Sequence, residues 1–283
     1  MIAELLRPFE FEFFRNGLLV ATLAGALCGL VGVYVVLKGM SYIGHGLSHA
    51  IFGGFAVSAL LGINLFLGAG AWGFLSALMI GGVTRRRPIG SDAAIGVITT
   101  ASFAIGLALF KVFGSAGKSP DAYLFGNIYG VDRAQLLLLG GVVVAAVAVV
   151  FFAWRPLLFS TFDPDVASVS GVAAARYDAL LMLLLAAVII VTMSVIGVIL
   201  VAATLVIPAV TARLLTDSFT RMLWGATALG AACGFVGMVA SYHFDIPSGP
   251  MIVLVDAAAF VVAFVVSGTR GRRHIGRVAA HVG

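Results

Sequence analysis

The sequence predicts an all-α polytopic membrane protein, and three observations lead to that fold class. Hydrophobic residues make up 61% of the 283 residues and charged residues only 10%, whereas about one quarter of an ordinary soluble domain is charged. Apolar runs of about 20 residues recur along the chain, and a helix needs this length to cross the hydrocarbon core. Charges and turn residues gather in short gaps between these runs, which is typical of helices joined by loops at a membrane surface.

Nine apolar segments are candidate transmembrane helices, each bounded by charges or by clusters of Pro and Gly. The sixth and seventh adjoin each other, because only Gly197 and Pro208 interrupt the apolar residues 177–214. The nine predicted spans are Gly17–Leu37, Ser41–Leu61, Leu65–Val83, Asp92–Phe113, Arg133–Trp154, Tyr177–Ile196, Val198–Leu214, Arg221–Tyr242 and Pro250–Ser267.

The segments that flank the spans leave no length for a separate soluble domain, so residues 1–283 are predicted to form a single transmembrane domain. Residues 1–16 carry three glutamates among Leu and Phe, which indicates a short interfacial segment and lacks the basic start of a signal peptide. Residues 268–283 form a basic tail.

The basic residues orient the protein in the membrane. Alternating the nine spans places 12 of the 17 Lys and Arg residues on one side, which the positive-inside rule assigns to the cytoplasm. The N-terminus is then outside and the basic tail inside, and because topology explains the net charge of +5, nucleic-acid binding is not expected. The 12 residues are Lys38, Arg85, Arg86, Arg87, Arg155, Arg176, Arg213, Arg221, Arg270, Arg272, Arg273 and Arg277.

Small residues recur at four-residue spacing in two spans. The pairs Gly25/Gly29 and Gly230/Gly234 lie in the similar stretches GALCGLVGV and GAACGFVGM. Such pairs let helices pack closely in lipid, so tight helix contacts are expected there. The likeness of the two stretches is either a trace of an inverted repeat or a consequence of the abundance of Gly and Ala.

The strongest local signal is a pair of histidines in the stretch GMSYIGHGLSHAIFGG of the second span. His45 and His49 are four residues apart and share a helix face, where two neutral imidazoles can ligate one divalent ion. The alternative is that neighbouring helices satisfy both side chains, but ionisable groups inside a membrane are costly and favour the functional interpretation. Gly46 stands where an HExxH metalloprotease carries its glutamate, which argues against a protease.

A second candidate site lies in the stretch SYHFDIPSGP. His243 and Asp245 stand at the outer end of the eighth span, and Pro247 and Gly249 are expected to break the helix before the ninth. A broken helix helps to form an ion path, and an ordinary polar loop is an equal alternative. The helix rise places His49 near mid-membrane and His243 near the outer surface, so the two pairs are interpreted as successive points on a path or as one site.

Asp256 is a third candidate, six residues after Pro250 in the ninth span. A carboxylate at this depth is costly unless it faces a cavity or a partner. It is either an additional metal ligand along the path or an internal hydrogen-bond anchor.

The loop FDPDVASVSG after the fifth span is predicted to form a short helix that is too short to cross the membrane. Asp163 suits the N-cap, Pro164 and Asp165 suit the first turn, and Gly171 suits the position after the C-cap. On this topology the helix is cytoplasmic, where it either docks a separate motor or is an ordinary capped turn. The apolar residues available for docking are Val166, Ala167 and Val169.

The chain is not expected to bind nucleotide itself. Gly117, Lys118 and Ser119 match the end of a Walker A motif, but Val112 stands where its first glycine is required. Any coupling to ATP must therefore come from a partner.

Five stretches in this order resemble the permease subunits of ABC importers of zinc, manganese or iron. They are GMSYIGHGLSHAIFGG, DAAIGVITTASFAIGLAL, FDPDVASVSG, the run IGVILVAATLVIPAVTARLLT and DIPSGPMIVL. The resemblance implies a multi-pass permease of the bacterial cytoplasmic membrane that forms a homodimeric pore. It also implies two copies of a cytoplasmic ATP-binding subunit and an extracytoplasmic protein that delivers the metal ion.

The resemblance also implies roles for individual residues. FDPDVASVSG would be the coupling helix, and the metal would pass His45 and His49, with further ligands around His243. Many members of the family carry an acidic residue where this chain has His45, and the exchange removes a negative charge and offers a softer nitrogen donor. Transport would proceed by alternating access, with the metal ion as cargo, without a covalently bound cofactor and with ATP hydrolysis in the partner.

Two alternatives follow from the same residues. A secondary metal transporter driven by an ion gradient would use intramembrane His and Asp side chains as proton carriers. An intramembrane metalloenzyme would need a base or nucleophile beside the histidines, where the segment offers only Ser41 and Ser48.

Overall fold

The computed structural model describes residues 7–84, 91–113, 133–198 and 200–282, and this part of the chain contains helices and no strand. The all-α class is therefore confirmed for the described residues. After a 3-10 turn at Arg7–Glu10, the helices are α1 (Glu12–Leu37), α2 (Ser41–Leu61), α3 (Leu65–Thr84), α4 (Ser91–Phe113), α5 (Arg133–Phe152), α6 (Trp154–Phe162), α7 (Pro164–Val169), α8 (Ala174–Ile196), α9 (Val201–Leu215), α10 (Phe219–Phe244) and α11 (Ser248–Val282).

Each of the nine predicted spans lies on one of these helices, namely α1 to α5 and α8 to α11. Within the described residues, six helices are long and apolar enough to cross a membrane, and the apolar parts of α4 and α9 are shorter. The count of nine spans therefore stays a prediction. The arginines at 85–87, the first six residues of the interfacial segment and the Walker-like residues 117–119 lie outside the described residues.

The fifth predicted span was too long at its inner end. It was expected to run to Trp154, but α5 ends at Phe152, and Ala153, with φ −100° and ψ 17°, separates it from α6. Pro156 explains the break, because a proline in a continuous helix lacks an N–H donor and its ring would clash with the carbonyl four residues earlier. α6 therefore leaves the line of α5 and leads directly to α7.

Helix α1 is the most enclosed of the six candidate spans, and it packs along α10 through small residues. A Cβ atom added at Gly25 would overlap the carbonyl of Gly230, and one added at Gly234 would overlap the carbonyl of Ala21. The two backbones are therefore in direct contact, as expected for small residues at a membrane helix interface. By contrast, α5 and α11 bury few of their side chains within the chain, as expected of helices that face lipid.

The backbone contact between α1 and α10 predicts how one added methyl group changes the stability of the protein. Gly230→Ala should lower the thermal unfolding midpoint of the detergent-purified protein, because the carbonyl of Gly25 is backbone and cannot rotate away; overpacking of this kind costs about 1–3 kcal/mol. Gly140→Ala is the matched control, since a Cβ added there meets nothing within 4 Å and alanine favours a helix by about 1 kcal/mol over glycine. Equal midpoints for the two variants would contradict the contact.

Candidate metal site and coupling segment

The two histidines of α2 lie side by side in the first half of the helix. The helix begins at Ser41, after a turn in which Gly39 has φ +67°, and it ends before Gly62, which is also left-handed. His45 and His49 are one turn apart, and their ring centroids are 4.4 Å from each other. His45 is exposed and His49 is partly buried, so the two rings lie at the surface of this single chain.

Hydrogen bonds determine which imidazole nitrogen of His49 is available. Its Nδ1 lies 3.1 Å from the backbone carbonyl oxygen of His45, which also accepts a bond from the Ser48 hydroxyl at 2.9 Å. A carbonyl oxygen only accepts, so Nδ1 carries the proton in this arrangement. The lone pair on Nε2 is left free, which is the tautomer that binds a metal through Nε2.

Helix α4 supports His49 from one side. The ring of Phe103 lies 5.0 Å from the imidazole, and Gly46 allows α4 to approach, since a Cβ there would come within 2.6 Å of Ile95. The aromatic ring limits the orientations open to His49. The ring of Tyr42 lies farther from His45, at 6.4 Å. The sequence interpretation had no reason to select Phe103, because its only local signal was its place in a stretch that resembles the family.

His243 and Asp245 lie at the opposite end of the bundle from the start of α2. His243 is exposed in the last turn of α10, and Asp245 ends the helix in the left-handed conformation with φ 53°. The Ser241 hydroxyl donates to the carbonyl of Ile246 at 2.6 Å, which orders the break before α11. The predicted helix break is present and contains Pro247, but the prediction was wrong for Gly249, which lies inside α11 because that helix already begins at Ser248.

The predicted metal residues do not form one cluster in this chain. Among the described residues, no group of three or more His, Cys, Asp or Glu side chains is placed to hold a metal ion. The structure thus brings His45 and His49 together and leaves them without a third ligand of these types from the described part of the chain.

Asp256 lies in the protein core rather than on an open path. Its exposed fraction is 1%, and within the described part of the chain neither carboxylate oxygen has a hydrogen-bond partner of ordinary geometry. The close contact between Gly237 and Ile252 sets an antiparallel register that places the Cys233 thiol beside the carboxyl group. The interpretation of Asp256 as a hydrogen-bond anchor is therefore not supported by a strong hydrogen bond among the described residues. Among the same residues, Asp256 does not form a metal-binding group with the histidines.

The loop predicted to be a short helix forms α7, and its caps have the expected geometry. The carboxylate of Asp163 accepts a hydrogen bond from the backbone N–H of Val166 at 2.9 Å, as an N-cap does. Gly171 has φ +77°, and the N–H of Val172 donates to the carbonyl of Ala167 at 2.9 Å, which is the Schellman pattern. The side chains of Pro164 and Asp165 lie outside the described residues.

The three apolar residues proposed for docking do not share one environment. Val166 and Val169 are 47% and 90% exposed, but Ala167 is completely buried. Ala167 therefore attaches α7 to the rest of the protein, and the two valines form its free apolar face.

A family model described as the ABC 3 transport family matches residues 10–267. The chain belongs to the ABC 3 transport family. Family relatives match it over nearly their full length: a "Probable iron transport system membrane protein" of Haemophilus influenzae is 38% identical over 96% of this chain and all of the relative. A manganese import system permease protein of Streptococcus gordonii is 36% identical over 94% of this chain and 96% of the relative.

A solved structure has the same fold as this ABC 3 family chain. The structure is titled "PsaBC from Streptococcus pneumoniae in complex with Fab", and the match has a TM-score of 0.83 at 35% identity, over 93% of this chain and 95% of that one. The family resemblance expected from the five stretches is thereby confirmed, and the chain is a multi-pass membrane protein.

Proposed function

We propose that this chain is the membrane-spanning permease subunit of an ATP-driven importer of divalent metal ions in the bacterial cytoplasmic membrane. One observation carries the proposal: a chain of the ABC 3 transport family presents two imidazole rings 4.4 Å apart on one face of an apolar helix. Ionisable side chains in such a helix are costly and are retained for function. The chain itself is not an enzyme in this proposal.

His45 and His49 form one part of the ion path. The free Nε2 of His49 and the exposed ring of His45 supply nitrogen donors, and the carbonyl of His45 orients its neighbour. His243 and Asp245 at the outer end of α10 are proposed as an earlier point on the path. Asp256 is proposed only as an additional transit ligand, which would require the core around it to open.

Manganese and ferrous iron are the preferred cargo candidates, since the named relatives are manganese and iron systems. Two histidines are softer donors than carboxylates and shift the preference toward metals late in the Irving–Williams order. Zinc therefore remains among the proposed cargo ions, because imidazole nitrogen is one of its common ligands.

The proposed topology has nine spans, with the N-terminus outside and the tail inside the cell. Two copies of the chain form the pore, two ATP-binding subunits dock on the cytoplasmic face, and an extracytoplasmic protein delivers the metal. The free valine face of α7 contacts the ATP-binding subunit. ATP binding and hydrolysis then move α7 and alternately open the pore to each side.

Uptake in whole cells tests this function. Cells limited in turn for manganese, iron and zinc should accumulate at least one of these metals only when both the permease and its ATP-binding subunit are active, measured by elemental analysis. A substitution that disables ATP hydrolysis in that subunit should reduce accumulation to the level of the deletion strain. Uptake that persists and collapses with a proton uncoupler would instead identify a secondary transporter.

A further inference from the structure

The cytoplasmic ends of three helices meet at one lysine. The Nζ atom of Lys38, directly after α1, donates to the Asp178 carboxylate of α8 at 2.7 Å and to the backbone carbonyl of Ser160 in α6 at 2.8 Å. The side chains of Lys38 and Asp178 are only 10% and 30% exposed, so water screens the pair less than an open surface pair. We call the two bonds from Lys38 to Asp178 and Ser160 the Lys38 clasp.

The Lys38 clasp holds the C-terminal part of α6, the helix that leads into α7. Ser160 is completely buried and lies three residues before Asp163, the N-cap of α7. α6 is only nine residues long and is separated from α5 by the break at Ala153. Contacts that hold α6 therefore help to position α7, in addition to the buried Ala167 of α7 itself, and the Lys38 clasp is one of these contacts.

Aromatic side chains form a second contact that holds α6. The rings of Trp154 and Phe162, at the two ends of α6, both pack edge-on against Phe219 at the start of α10, at 5.2 and 5.9 Å. Tyr34 of α1 packs on the same ring at 5.6 Å. α6 is thus attached to α10 by apolar contacts and to α1 and α8 by charge.

We propose that Lys38 and Asp178 are positioning residues for coupling, which make α1 and α8 follow the movement of α7. This inference rests on the proposed function, in which α7 receives force from the ATP-binding subunit. Aromatic contacts alone allow α6 to slide or rotate on Phe219, whereas the clasp joins it to α1 by a directed, charge-assisted bond. Because α1 is in backbone contact with α10, a force transmitted from α6 to Lys38 moves α1 and α10 together. His243 lies in the last turn of α10 and moves with them.

The test uses the full permease reconstituted in proteoliposomes with its ATP-binding subunit and loaded delivery protein, with manganese as the probe. Lys38→Met and Asp178→Asn should lower manganese uptake per ATP hydrolysed by about two- to thirtyfold, the range that corresponds to a coupling change of this type. Metal affinity of the permease and its co-purification with the ATP-binding subunit should not change. Lys38→Arg, which keeps the charge and the donors, should retain most of the coupling.

The chain offers a matched control ion pair. Arg133 and Glu12 approach to 3.9 Å at the outer side but are 90% and 69% exposed, and such pairs contribute little. Arg133→Gln should leave uptake per ATP unchanged. Unchanged uptake per ATP in Lys38→Met, or an equal loss in Arg133→Gln, would overturn the clasp.

A purely structural role would give a different pattern. If Lys38→Met lost assembly with the ATP-binding subunit and Lys38→Arg did not restore it, the clasp would be a folding contact, and the inference would be wrong. If the wild-type complex moved manganese without ATP hydrolysis, the proposed function would fail first, before any variant was compared.

Discussion

Replacing both His45 and His49 with alanine is expected to abolish metal uptake while the protein remains inserted and bound to its ATP-binding subunit. The two rings are the only pair of predicted metal residues that the structure places in ring contact, at 4.4 Å. Each substitution removes one nitrogen ligand, and loss of even an outer-shell partner of a metal site costs about 10–100-fold in affinity. Loss of both ligands should therefore reduce uptake to background, measured as metal accumulation in cells under limitation.

Two comparisons sharpen this experiment. Replacing His274 and His281 with alanine removes the same number of histidines from the basic tail and should leave uptake unchanged. The single variant His45→Asp introduces an oxygen donor in place of a nitrogen donor and should shift selectivity toward manganese over zinc, because oxygen donors suit the harder ion. Normal uptake by the His45→Ala/His49→Ala protein would remove these residues from the ion path.

The double variant Asp163→Ala/Ala167→Arg is expected to uncouple ATP hydrolysis from transport with metal binding intact. Ala167 is completely buried, so an arginine there cannot be accommodated without displacing α7. The alanine at 163 removes the N-cap bond to Val166, which costs about 1 kcal/mol. The measurement compares ATP hydrolysis with metal uptake in the reconstituted complex.

Ala173→Arg serves as the control, because Ala173 is exposed in the connection after α7 and an arginine there reaches water. It should transport and hydrolyse ATP like the unaltered protein. If the α7 variant kept normal uptake per ATP, α7 would have no part in coupling.

The local features of the fold could be predicted because they depend on neighbours within a few residues. Apolar length predicted where the helices lie, and Asp163 and Gly171 predicted both ends of α7. The break at Ala153 was missed, although Pro156 carried a readable signal for it. The four-residue spacing of His45 and His49 predicted their shared face, which their ring contact confirms.

The candidate site could be predicted only in part, since its surroundings come from other helices. The packing of Phe103 on His49 depends on how closely α4 approaches α2. Asp256 had two interpretations in the sequence, and only packing shows that its carboxylate is enclosed without a strong hydrogen bond. The direction of Ala167 likewise follows from how α7 lies on its neighbours.

The sequence by itself determined a helical membrane protein of one family, the places of its long helices, its short capped helix and its pair of histidines. These properties follow from composition and from spacings of a turn or two. Only the tertiary structure decided that α1 and α10 meet through their backbones and that Lys38 reaches Asp178, 140 positions away. Contacts between residues so far apart depend on the packing of whole helices. The glycine pairs predicted a close helix contact, but a local pattern does not encode which helix is the partner.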